Sequence, residues 1–134
     1  MLSGANVSNS IFSGSGFVKA NLTGITGNGS TFDDCNFRDA ILINASFYGS
    51  HLKRAVLVSA DLTGSDLRFS DLQEANCSNA NFSGANLSEA NLDGAILNGA
   101  ILNGADLRMT KGLTAGQLYK AFTDSKTQLP SFNK

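Results

Sequence analysis

The sequence predicts an all-β solenoid: a coil with corners over residues 1–109, followed by a short α-helical cap and tail over residues 110–134. Three observations carry this reading. A large apolar residue recurs every five positions, a small residue stands two positions before it, and both rules stop together after Met109.

The apolar series runs Leu2, Val7, Phe12, Phe17, Leu22, then Gly27 as its one gap, then Phe32, Phe37, Leu42, Phe47, Leu52 and on to Leu107. The small series runs Ala5, Ser10, Ser15, Ala20, then Ile25 as its one bulky member, then Ser30, Cys35, Ala40 and on to Ala105. On an α-helix every-fifth residues would spiral around the axis, and in a flat strand they would alternate between faces. Neither element buries the series. A backbone that changes direction once per repeat does, with the two inward residues of each repeat forming one short side. Glycine ends many repeats, including Gly4, Gly14, Gly64 and Gly94, and glycine tolerates the backbone angles of a corner.

Stretches such as Ala60-Asp61-Leu62-Thr63-Gly64 and Ala90-Asn91-Leu92-Asp93-Gly94 carry the motif A-(D/N)-L-X-X, and the chain from residue 2 to about 109 resembles the pentapeptide-repeat family. The resemblance implies a right-handed quadrilateral β-helix with four repeats per coil. Twenty-residue columns follow: Phe12 under Phe32 and Phe17 under Phe37 predict aromatic stacking, whereas leucine fills the later coils. At the strand spacing of about 4.7–4.9 Å the rod is on the order of 25 Å long. Within Gly24–Gly29 two readings stand: Ile25 fills the space left by Gly27, or the segment leaves the coil as a loop.

After Met109, Thr114 and Gln117 have capping-box spacing, and Leu113 and Leu118 are placed as its hydrophobic staple, so a short helix is expected. The segment reads as a lid in which Leu113, Leu118, Phe122 and Leu129 cover the last coil, because a solenoid needs its ends closed. Leu118 and Phe122 are expected to pack around Leu102 and Leu107. The resemblance adds a second use, since gyrase-protecting members of the family dimerise through such a segment. The expected state is a monomer or an end-to-end homodimer. Leu2 already fills a core slot with no cap before it, which suggests a domain cut from a longer chain with upstream repeats, such as a bacterial effector or signalling protein.

With 134 residues, a single domain is expected. The formal net charge is −1, divided as 6 − 10 = −4 through Met109 and 4 − 1 = +3 beyond it, which favours neither nucleic acid nor an anionic membrane. No apolar run reaches the roughly 20 residues that span a bilayer, and two cysteines without metal-ligand spacing point to a reducing cytoplasm. Cys35 and Cys77 fall two coils apart, beyond disulfide reach.

Chemistry is sparse. His51 stands one coil from Asp71, but Ser30, Ser50 and Ser70 occupy inward slots, so no exposed nucleophile completes a triad. The glycines recur as corners and lack the lysine of a phosphate loop. No catalytic residue, cofactor or metal is expected. The outward positions are mostly Asn, Ser, Thr and Asp, and the departures gather at Ile41, Ile43, Val56 and Val58, with Val18 two coils below Val58 and charges at Arg38, Lys53 and Arg54. An apolar patch rimmed by charge predicts a protein-binding surface. The expected function is therefore a non-enzymatic interaction or scaffolding module. The alternative implied by the resemblance is a DNA mimic that binds or protects a type II topoisomerase, gyrase. Asp61, Asp66 and Asp71 ring one coil instead of running along the rod, and −4 is thin against the one phosphate charge per about 1.7 Å of duplex.

Overall fold

The computed structural model describes residues 2–132 and shows an unbroken right-handed β-helix. Each side contributes one residue to a parallel ladder twenty residues long in period, as in Asn6 to Thr26 to Ser46 to Asp66 to Asn86 to Asp106. The bonds run both ways between coils: the Thr26 N–H donates to the Ala5 carbonyl at 2.8 Å, and the Val7 N–H donates to the Thr26 carbonyl at 2.7 Å.

The corners explain the period. At every corner but one the residue three places after the apolar centre donates its N–H back to the centre's carbonyl, for example Ala5 to Leu2 at 3.0 Å and Cys35 to Phe32 at 3.1 Å; at Val7 the Ser30 hydroxyl intervenes, accepting from the Ser10 N–H at 3.0 Å and donating to the Val7 carbonyl at 2.6 Å. The residue between, two places after the centre, has positive φ at every corner from Gly4 to Met109. A single positive φ at the third position is the signature of a type II turn. Ten of these residues are glycine and twelve are not, so glycine is preferred at the corners without being required.

The aspartate or asparagine of the motif has a defined task. It stands just before the centre, and its Oδ1 accepts the N–H of the residue two places on, which would otherwise face outward unpaired at the corner. Asp61 holds the Thr63 N–H at 3.0 Å, Asp66 the Arg68 N–H at 3.1 Å, and Asn81 the Ser83 N–H at 2.9 Å.

The core is the inward column set. Leu62, Leu67, Leu72 and Leu92 are buried as the period requires. Phe12 stacks on Phe32 with centroids 5.2 Å apart, and Phe17 on Phe37 at 5.1 Å, both pairs near parallel at 9°. Ile25 is buried and Thr26 keeps its ladder place, so the coil does not loop out at Gly24–Gly29. A Cβ on Gly27 would come within 3.0 Å of the Phe32 ring and 3.4 Å of Phe47. Two phenyl rings, together with Ile25, take the room that the missing centre leaves.

The helix α1 spans Ala115–Tyr119, with the capping box formed between Thr114 and Gln117. The Gln117 Nε2 donates to the carbonyls of Leu92 and Ala95, both at 2.9 Å, which ties the cap to the coil below it. Leu113 is buried and Leu118 packs partly against the core, but Phe122 is 62% exposed and Leu129 48%. The expected covering role of those two is corrected by the backbone: Phe122 takes a ladder place, donating to the Ala100 carbonyl and accepting from the Leu102 N–H, so its side chain faces outward as Ile101 does. Gln128 takes the next ladder place, above Asp106.

Candidate protein-interaction surface

The structure divides the aliphatic patch expected from sequence. Ile41 and Val18 are exposed, Ile43 and Val56 are half-buried, and Val58 is buried at 8% exposure. The exposed role expected for Val58 is thereby corrected. Its column neighbours are Arg38 and Ser78, and a compact branched side chain at a corner loses its surface to the coils on either side, the more so beside a long arginine stem. Of the five residues, only Ile41 and Val18 are exposed, and they lie on different coils.

Another corner does. Tyr48 and Phe69 are 42% and 48% exposed, and their rings meet at 5.3 Å with a 54° tilt. The Arg68 guanidinium lies over the Tyr48 ring, 5.1 Å from its centroid. Arg68 is held there by a fork to Asp66, Nε to Oδ1 at 2.9 Å and Nη2 to Oδ2 at 2.8 Å. The arginine holds the Asp66 carboxyl below its ordinary range, chiefly through that hydrogen bond, and burial opposes it. Tyr48 is itself anchored, because Asn28 one coil below accepts its backbone N–H at 2.9 Å. Phe69 takes the corner's left-handed backbone, φ +60°, which costs a bulky side chain more than it costs glycine.

Phe69 thus accepts a backbone cost while half of its ring remains in solvent, a combination that packing alone does not favour. Tyr, Phe and Arg together are the residue types enriched at the centres of protein interfaces. Tyr48 and Arg68 are twenty residues apart and Phe69 sits one place off that column, so a reading confined to β-branched residues passes over them.

The family model described as Pentapeptide repeats matches residues 30–68 and 70–108, with eight copies in all. The chain belongs to the pentapeptide-repeat family. A pentapeptide repeat protein from the cyanobacterium Cyanothece 51142 is 26% identical, with TM-score 0.59 over 96% of this chain and 86% of that one. One from the Arabidopsis thaliana thylakoid lumen is 31% identical, with TM-score 0.49 over 88% and 74%. QnrB1, a plasmid-mediated fluoroquinolone resistance protein, is 23% identical, with TM-score 0.64 over 98% and 80%, and shows likeness of fold. No curated protein matches the sequence.

Elsewhere this pentapeptide-repeat rod carries little chemistry. His51 neighbours Asp71 in the ladder and forms no hydrogen bond with it, and among the described residues no three His, Cys, Asp or Glu side chains gather as a metal site. The Cys77 thiol is pushed up to about 12 by burial, and burial likewise raises Cys35, whose Sγ donates to the Phe12 carbonyl. Thiols so placed are inert. Asp61, Asp66 and Asp71 are each engaged at their own corner. No helix among the described residues is long and apolar enough to cross a membrane.

Proposed function

We propose that this chain is a non-enzymatic protein-interaction module whose main contact surface is the corner bearing Tyr48, Arg68 and Phe69. The exposed Phe69 ring, held at positive φ against Tyr48, is the observation that carries this reading. A rod of stacked coils supplies a rigid platform, so the two rings and the guanidinium are preorganised and little side-chain freedom is lost on binding. Ile41 and Val18 on the far side, with the half-buried Ile43 and Val56 near them, contribute a secondary contact at most, and Val58 only supports the corner beneath.

The acidic side chains do not favour a duplex mimic, because Asp34, Asp66 and Asp106 each pair with an arginine and so offset their own charge. The test is recovery of partners from the native lysate by the parent and by a Tyr48→Ser/Phe69→Gly double variant, with cross-linking before lysis. The variant is expected to fold as the parent does and to lose the parent's specific partners. Equal recovery by both proteins would overturn this assignment of the surface.

A further inference from the structure

The sequence Asp66-Leu67-Arg68-Phe69 recurs as Asp106-Leu107-Arg108-Met109. The ladder from Asp66 through Asn86 to Asp106 sets the two copies on one corner, two coils apart. Both arginines are pinned by the same fork, Arg108 giving Nε to Asp106 Oδ1 at 3.0 Å and Nη2 to Oδ2 at 2.8 Å. Both bulky residues stand in the left-handed turn position, Phe69 at φ +60° and Met109 at φ +62°, and Met109 is 69% exposed. The corner therefore repeats one unit, a pinned guanidinium beside a projecting apolar side chain, with Ser88 and Glu89 between the copies and Tyr48 beneath.

We infer that this corner binds a proline-rich polypeptide in the polyproline II conformation, lying along the rod axis. The inference rests on the reading of the chain as a protein-interaction module. Two coils rise about 9.4–9.8 Å at strand spacing, and one three-residue turn of polyproline II rises about 9.3 Å, so side chains three apart in the ligand meet successive units in register. An extended strand places same-face residues about 6.6–6.8 Å apart and falls out of step with the corner.

Polarity agrees with the spacing. Arg68 and Arg108 spend Nε and Nη2 on their aspartates, and among the described residues Nη1 and the Tyr48 hydroxyl have no hydrogen-bond partner. The corner thus offers donors and apolar rings. A proline-rich segment offers carbonyl acceptors without competing N–H groups, together with apolar rings that dock on aromatic side chains. The aspartate forks offset the arginine charge, which disfavours a phosphate ligand. Glu89, midway between the copies, selects for a lysine or arginine in the proline-rich segment at that level.

The test is fluorescence anisotropy of fluorescein-labelled decaproline titrated with the full chain, beside a Gly-Ser peptide of equal length. Saturable binding of decaproline, absent for Gly-Ser, is expected. Phe69→Gly and Met109→Gly should each weaken it about tenfold, the loss typical of truncating an interface anchor. Glycine suits both positive φ values, so circular dichroism should show the fold unchanged, and Tyr48→Ser provides a third variant free of any backbone effect. No saturable binding at millimolar protein, or equal affinity in all three variants, overturns the inference. If decaproline is ignored while native partners are still lost on changing Tyr48 and Phe69, the proline-rich ligand is overturned and the interaction module stands.

Discussion

From Asp61 to Asn91 the sides carry Asp or Asn without a break, and each caps its own corner, from the Thr63 N–H to the Asp93 N–H. The coils before Ala60 are different. Ile41 and Val56 have no acceptor to give, and the N–H groups of Ile43 and Val58 are left without partners among the described residues. Tyr48 and Lys53 are served from the coil below instead, by Asn28 and Asp33. The early coils rest on a phenylalanine core and mix own-corner caps at Asn6, Asn21 and Asn36 with borrowed caps and uncapped corners, whereas the later ones repeat a single self-sufficient unit. Regularity in such a rod is therefore a local hydrogen-bond device, and the irregular coils are held by packing that crosses between repeats.

Core truncation should break this contrast most visibly. Leu72 is wholly buried and Leu2, in the first described coil, is 39% exposed. Leu72→Ala should cost about 2–5 kcal/mol, the range for a cavity in a closed core, and Leu2→Ala well under about 1.5 kcal/mol, read by chemical denaturation. Equal losses would mean that the first coil is packed as tightly as the middle one.

A smaller change of opposite sign is expected inside the regular region. Ser50 and Ser70 donate their hydroxyls to the carbonyls of Phe47 and Leu67, but the Ser65 Oγ is buried with no partner. Ser65→Ala should raise stability by about 1 kcal/mol by removing an unsatisfied polar atom, whereas Ser70→Ala should lower it by a similar amount. A fall in the melting temperature of Ser65→Ala would show that its hydroxyl is satisfied after all.

The smallest effect tests the capping device itself. Ile41→Asn supplies an Oδ1 where the Ile43 N–H lacks a partner, and because Ile41 is 38% exposed its lost apolar burial offsets part of that bond, so a gain of at most about 0.5 kcal/mol in chemical denaturation is expected. A loss would mean that the apolar burial of Ile41 outweighs the missing cap.

The repeat, its inward columns, the phenylalanine stacks and the capping box were legible in the sequence because each depends on residues at fixed separations of three, five or twenty. Gly27 was legible only as an ambiguity. Its outcome depends on how Phe32, from the next repeat, and Phe47, one coil above, lean into the vacant slot, and the period places these rings without fixing their tilt. Val58 and Phe122 were misplaced for the same kind of reason: one loses its surface to adjacent coils, the other enters the ladder after the period has ended. Tyr48, Arg68 and Phe69 left a detectable signal, a D-L-R-apolar unit repeated at forty residues, but it becomes a site only when the columns are laid side by side.

By itself the sequence determined the solenoid, because a period of five leaves the backbone no other way to bury one residue in five together with its small partner. Tertiary structure decided which outward residues share a corner and which are left uncovered. Those outcomes depend on how side chains from coils twenty residues apart divide the space between them, and the local repeat does not constrain that division.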